Sequence, residues 1–355
     1  MNEKELLIDL VNIKSQRGIS NIGMINYLKK LFVGHNIKEV IHSKDNVPLY
    51  NLIVKIEGSN NLNKPPIIFV MHTDTVIGEW FQKHEESNSR IIGLGSCDMK
   101  GGITSACCAV LKKIYDRDLY LIFTSDEESG GYGGKLIKET FKLDKKAIVI
   151  VTEPTSKKIF TSQNSCVGYQ VDTSGIPKHA SLSTFENNLN NNAIYKMFLI
   201  SNFLMDYEKK SDKLHSQNIG YINGGTSSNI VSETCKMKFE QRFKPGVNIK
   251  RKAEETISSL YNLNAKNIKI SFFGESFSNE NISLLDKIEN LVSSFFEIEF
   301  ATFTAWSEAG TFDYLGDCII FGPGEIEMAH KNNESIDIKE VEIFTEIYSK
   351  LIEKL

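Results

Sequence analysis

Three short apolar runs, at residues 67–71, 119–124 and 147–151, constrain this chain more than any other feature. Each is too short for a stable helix and too uniformly apolar for a strand with one wet face, so each reads as a strand buried on both sides. Between them lie segments of helical character, one rich in small residues at 103–114 and one after the loop Gly130-Gly131-Tyr132-Gly133-Gly134. Buried strands alternating with helices predict an α/β layer built on a mostly parallel sheet with flanking helices. In such sheets ligands collect beyond the carboxyl ends of the strands. The residues in those positions here are His72-Thr73-Asp74, Asp126-Glu127-Glu128 and Glu153.

The pattern changes after residue 164. Strands are expected at 167–173, 219–222, 234–242 and 268–273, with helices at 188–209 and 249–260, in the order β-α-β-β-α-β of a ferredoxin-like unit. A helix at 282–292, a strand at 318–321 and a terminal helix striped by Val341, Phe344, Ile347 and Leu351 then resume the first pattern. Two covering helices precede it, striped by Leu6, Leu7, Leu10 and Val11 and by Met24, Leu28, Leu31 and Phe32. The expected organisation is a catalytic domain of residues 1–164 and 276–355, interrupted by a lid and dimerisation domain at 165–275. A chain of 355 residues has room for both cores.

Composition removes several classes of function. The net charge of −4 is small and both signs are interspersed, which leaves no basic face for nucleic acid or an anionic membrane. No apolar run approaches the roughly 20 residues that span a bilayer, and Met1-Asn2-Glu3-Lys4-Glu5 does not open a secretory signal, so a cytoplasmic location is expected. The six cysteines show no C-x-x-C spacing and read as reduced, small core residues.

The chemistry centres on Gly93-Leu94-Gly95-Ser96-Cys97-Asp98-Met99-Lys100-Gly101-Gly102, where one carboxylate sits between glycine pairs at a strand-to-helix junction. Two divalent ions about 3.5–4 Å apart need a group that can touch both, and a carboxylate has two oxygens for the purpose. Asp98 is read as that bridge, with His72, the acidic run at 126–128, Glu153 and His330 around it. Taken alone, His72 would more often be a packed histidine than a ligand, and the acidic run a solvated turn. Their shared position at strand ends argues against both bland readings. His35, His42, His84 and His215 lack partner motifs and read as ordinary polar-surface histidines.

Together these motifs resemble the M20 family of metallopeptidases and deacylases. The resemblance rests on His72-Thr73-Asp74-Thr75-Val76, the stretch around Asp98, Ser125-Asp126-Glu127-Glu128, Glu153-Pro154-Thr155, Gly224-Gly225 through Asn229, and Gly322-Pro323-Gly324 through His330. They follow family order across nearly the whole chain. The resemblance implies a zinc-exopeptidase-like layer holding two divalent metal ions, zinc first and cobalt or manganese otherwise. His72, Asp98 and Glu153 are then ligands of one ion, and Asp98, Glu128 and His330 of the other. Glu127 matches the general base and Asp74 the carboxylate that orients His72. His179, in Gly175-Ile176-Pro177-Lys178-His179-Ala180-Ser181, matches a histidine that crosses a homodimer to stabilise the oxyanion, while Asn229 and Arg242 match residues that bind the substrate carboxylate.

Within the family, Ser307-Glu308-Ala309-Gly310-Thr311-Phe312 and the Gly322-to-His330 ending resemble the branch that deacetylates acetylornithine in arginine biosynthesis. The implied substrate is a small N-acyl amino acid. The alternatives are a desuccinylase of succinyl-diaminopimelate or a related deacylase, a dipeptidase or aminopeptidase, and, more remotely, a non-catalytic binding protein on the same fold.

Overall fold

The computed structural model describes residues 2–59, 64–78 and 85–355, so His84 lies outside the described residues. The chain forms two compact units, one of Met1–Gln163, Phe277–Phe303 and Ser307–Leu355, the other of Asn164–Ser276 and Thr304–Trp306.

The first unit is built on a nine-stranded sheet. Its centre is four parallel strands in the spatial order Leu119–Thr124, Ile67–His72, Ala147–Val151 and Gly316–Ile320. Every residue of Ile67–His72 and Ala147–Val151 is buried, as expected for strands covered on both faces. Helices Gly101–Leu111 and Ile338–Lys354 supply cover, the former with ten of its eleven residues buried. Such close packing needs small residues. A Cβ on Gly102 would lie 2.3 Å from the carbonyl oxygen of Thr152, so glycine there lets the helix start against the strand end that carries Glu153.

The antiparallel side of the sheet is less legible in sequence. Strand Asn36–Lys44, which the apolar pattern does not single out, pairs with Val47–Ile56 through a tight turn with Asp45 and Asn46 both at positive φ. Its side chains are mostly half-exposed or exposed, so it lacks the continuous apolar run that betrays buried strands. The Asp-Asn pair is the available signal, since two-residue hairpin turns of this kind favour those residues. Strands Ile159–Gln163 and Phe300–Phe303 are likewise additions to the sequence reading.

The second unit contains a four-stranded antiparallel sheet in the order Leu214–Gly224, Thr234–Phe243, Ser165–Ser174 and Asn267–Gly274. Helices Ala193–Lys210 and Ile249–Asn262 pack on it around Val167, Tyr169, Met197, Leu204, Met237 and Phe239. Tyr169 and Phe239, opposite each other across the ladder, stack with ring centroids 4.6 Å apart. The single helix expected at 188–209 is two helices, Phe185–Asn191 and Ala193–Lys210. The break falls at Asn192, whose backbone is extended and whose side chain accepts from the amide of Ile194. Asparagine competes well for local hydrogen bonds of this kind and so favours a cap over a helix interior.

Candidate metal centre

Strand ends of the first unit, the segment Ser96–Lys100 and the loop after Ile326–Met328 bring together His72, Asp98, Glu127, Glu128, Glu153 and His330. Three overlapping sets of ligand atoms converge, each within 4.8 Å: His72, Asp98 and Glu153; Asp98, Glu128 and His330; and His72, Glu127 and Glu128. His72 ends the strand Ile67–His72, and its Nε2 lies 2.9 Å from Asp98 Oδ1 and 3.8 Å from Glu153 Oε2. On the other side, His330 Nε2 lies 3.3 Å from Asp98 Oδ2 and 3.1 Å from Glu128 Oε1. Asp98 therefore turns one oxygen to each histidine.

His72 is oriented from behind. Its Nδ1 lies 2.9 Å from the backbone carbonyl oxygen of Asp74, whereas the nearer Asp74 carboxylate oxygen is 3.9 Å away. That carboxylate instead accepts from the amides of Glu127 (3.2 Å) and Glu128 (3.1 Å). Asp74 thus shapes the acidic turn with its side chain and holds the imidazole with its main chain. The turn has a second anchor that the sequence did not single out. Lys44 Nζ donates to Asp126 Oδ1 (2.7 Å), the Ser129 carbonyl (2.7 Å) and Ser129 Oγ (3.0 Å), fixing Asp126 in its left-handed conformation.

Burial and mutual repulsion set the electrostatics. Desolvation pushes Glu127 well above the usual carboxyl value, with Glu153 and Glu128 adding to it against the pull of His72. Desolvation likewise raises Glu153 to about 7 and Asp74 to about 6. Burial works against a charged His72, yet Glu153 and Asp98 hold it well above an ordinary imidazole. The hydrogen bonds that His330 donates to Asp98 and Glu128 raise it to about 10. Burial opposes ionisation of Asp98 too, but the two histidines keep its carboxyl below the usual range. Four carboxylates and two imidazoles held this closely call for positive charge, which divalent cations would supply by displacing protons. Imidazole and carboxylate donors without thiolate are the ligands of hydrolytic zinc, cobalt or manganese sites. The donor set therefore fits a metal centre.

Glu308 lies just ahead of the short helix Ala309–Phe312, within the Ser307-to-Phe312 motif. It is 2% exposed and accepts from Thr124 Oγ1 at the end of a central strand. Burial raises its pKa to about 8 against an ordinary value of 4.5. The folded protein therefore holds a proton that the unfolded chain gives up, and stability should fall as pH rises from about 5 to about 8. In chelator-treated protein, Glu308→Gln should flatten that fall. Its Tm relative to the parent should rise between those pH values by about 2–4 °C or more, the shift that 1 kcal/mol gives in a domain of a few hundred residues. Parallel Tm-against-pH curves would refute this.

The remaining candidates belong to the second unit. His179 is exposed, with Nδ1 2.7 Å from Ser181 Oγ, and its segment pairs with that of Asn229: the amide of Ala180 donates to the Asn229 carbonyl (2.9 Å). Arg242 lies at the other end of strand Thr234–Phe243, its Nε on Glu240 Oε1 (3.0 Å) and its Nη1 on the Thr304 carbonyl (3.2 Å). Within this unit the fold joins His179 to Asn229 and does not bring Arg242 to them. All six cysteines are free and buried. Among the described residues no helix is long and apolar enough to cross a membrane.

An α/β layer whose strand ends gather histidines and carboxylates in this way is the framework of a metal-dependent hydrolase. The model of peptidase family M20/M25/M40 matches residues 68–354, and the chain belongs to that family. Among its relatives, the acetylornithine deacetylase of Buchnera aphidicola subsp. Schizaphis graminum (strain Sg) is 27% identical over 358 residues, covering 94% of this chain and 91% of that one. The aminopeptidase PepT of Bacillus cereus ATCC 10987 matches with a TM-score of 0.78 at 18% identity, covering 99% of this chain and 98% of that one. Human carnosine dipeptidase 1 matches with a TM-score of 0.71 at 14% identity, covering 99% and 96%. At such identities the two solved structures speak for the fold alone.

Proposed function

We propose that this chain is a di-metal amidohydrolase that removes the acetyl group of an N-acetyl amino acid, with acetylornithine as substrate and arginine biosynthesis as its setting. The observation that carries the chemistry is the pair of ligand sets sharing Asp98, with Glu127 grouped beside them with His72 and Glu128. The substrate rests on the relatives named acetylornithine deacetylase.

His72, Asp98 and Glu153 would hold one ion, and Asp98, Glu128 and His330 the other. Bound zinc, or cobalt or manganese, would polarise the acyl carbonyl and bring the pKa of water towards neutrality. Glu127 is the base: its carboxylate takes a proton from the attacking water and passes it to the departing α-amine. Burial favours that role, because a carboxyl raised towards the working pH both accepts and releases a proton readily. Asp74 and Lys44 keep the turn that carries Glu127 and Glu128 in place. Arg242 and Asn229 are assigned the substrate carboxylate, a task that suits a guanidinium fork; because one chain does not bring the two together, Asn229 would act with His179 at the partner's site.

The reading includes a homodimer formed through the second unit, with His179 of each chain stabilising the oxyanion at the other's site. Strand Leu214–Gly224 is an unpaired sheet edge, and Ile176, Leu182, Phe185, Phe198 and Ile222 are exposed on the same unit, as a surface awaiting a partner would be. A fully active monomer would rule this element out.

The test is a substrate panel of N-acetylornithine, N-acetylcitrulline, N-succinyl-diaminopimelate and dipeptides, run with zinc, cobalt and manganese. The highest kcat/KM is expected on N-acetylornithine. Preference for dipeptides would make the chain a peptidase, and preference for the succinyl substrate a desuccinylase. No hydrolysis of any of them by metal-loaded protein would overturn the catalytic reading.

A further inference from the structure

Glu334 is 1% exposed, although its neighbours Lys331, Asn332 and Asn333 are exposed and the run reads as a solvated loop. Its carboxylate is spent entirely on main chain: Oε1 accepts from the amides of Cys97 (3.0 Å) and Asp98 (2.9 Å), and Oε2 from the amide of Gly95 (2.9 Å). Its own carbonyl accepts from the amide of Gly93 (3.0 Å), and the next residue, Ser335, opens a strand paired with Ile92. Four amides of the stretch that carries Asp98 therefore end on one residue more than 230 positions away. The loop's shape depends on this. Gly95 has φ of +76°, a left-handed turn that helps aim the three amides inward, and without an acceptor they would be buried donors lacking a partner. Lys100, a buried cation, donates to the Ile13 carbonyl at 3.0 Å and so does not compete with these amides for the carboxylate.

We propose that Glu334 is a positioning residue of the metal centre: its carboxylate is the form on which residues 95–98 are moulded, so that Asp98 presents one oxygen to each ligand set. Asp98 Oδ1 faces His72 and Oδ2 faces His330, and a small rotation of the loop would spoil one contact to improve the other. Glu334 also follows His330 by four residues, so the same short segment supplies a ligand and sets the carboxylate that ligand shares. The set of Asp98, Glu128 and His330 is therefore the one most exposed to its loss. The inference rests on the two-metal reading above.

The experiment uses the full chain, stripped by chelator and titrated with cobalt(II), followed by calorimetry and by visible absorption, which reports coordination geometry. Two ions should bind the parent protein. Glu334→Gln places an NH2 donor against amide donors. It should weaken the second ion by about 10- to 100-fold, alter the cobalt spectrum and lower kcat by a similar factor with KM little changed. Glu334→Asp keeps the charge but withdraws it, and should fall between the two. Asp118→Asn, which alters a comparable contact to the amide of Gly58 (3.1 Å) at the amino-terminal end of strand Leu119–Thr124, away from every candidate ligand, should leave both ions and the spectrum unchanged.

Should Glu334→Gln fail to fold, the aspartate variant and hydrogen exchange on the parent decide the matter: in metal-free protein the amides of Gly95, Cys97 and Asp98 should be strongly protected. Folded variants that bind both cobalt ions with parental affinity and spectrum would overturn the proposal, as would rapid exchange of those amides. A parent protein that binds fewer than two ions would instead sink the two-metal reading, and the proposal with it.

Discussion

Replacing Glu127 with glutamine is expected to lower kcat by about 10²–10⁴-fold, the usual contribution of a positioned acid-base group, while the protein keeps two bound metal ions. The substitution preserves size and leaves the backbone amide that donates to Asp74 intact, so Glu128 should stay where it is. What is lost is the capacity to accept a proton. KM should change little, because the carboxylate's work falls between attack on the carbonyl and departure of the amine. Steady-state kinetics beside metal analysis check the prediction. Near-normal turnover with full metal content would remove Glu127 from the mechanism.

The companion result concerns Asp98. Asparagine has one carbonyl oxygen and no charge, so it cannot serve both ligand sets, and Asp98→Asn is expected to release both ions. Activity should fall at least as far as in the Glu127 variant. Glu153→Gln gives the contrast: Glu153 belongs only to the set with His72 and Asp98, and its loss should spare the set with Glu128 and His330. Metal stoichiometry after exhaustive dialysis separates the cases. If Asp98→Asn retained one tightly bound ion, the shared-ligand geometry would be wrong.

Much of the candidate centre was readable because His72, the acidic run at 126–128 and Glu153 sit at or just beyond the ends of apolar strands. Ile67–His72 and Ala147–Val151 are buried along their whole length. What escaped was whatever depends on distant partners. Lys44 lies on a strand of mixed exposure, and only the folded sheet brings it to Asp126. Glu334 looks like part of a polar loop until the amides of residues 95–98 are seen closing on it. Asp74 illustrates a subtler limit: its identity suggests a carboxylate behind His72, whereas its main chain makes the closer contact. Residue type predicts which chemistry is available but not which atom performs it. The break at Asn192 is similar, a local hydrogen bond overriding a continuous helical expectation.

The order in which the candidate ligands occur bears on when the centre can form. His72, Asp98 and Glu153 are made before the second unit, whereas the central strand Gly316–Ile320, His330 and Glu334 are made only after it. Folding during translation proceeds from the amino-terminal side. The second unit can therefore fold while the first still waits for its last segments. On the two-metal reading, neither ligand set is shaped until the chain is nearly finished, so metal loading would follow synthesis instead of accompanying it.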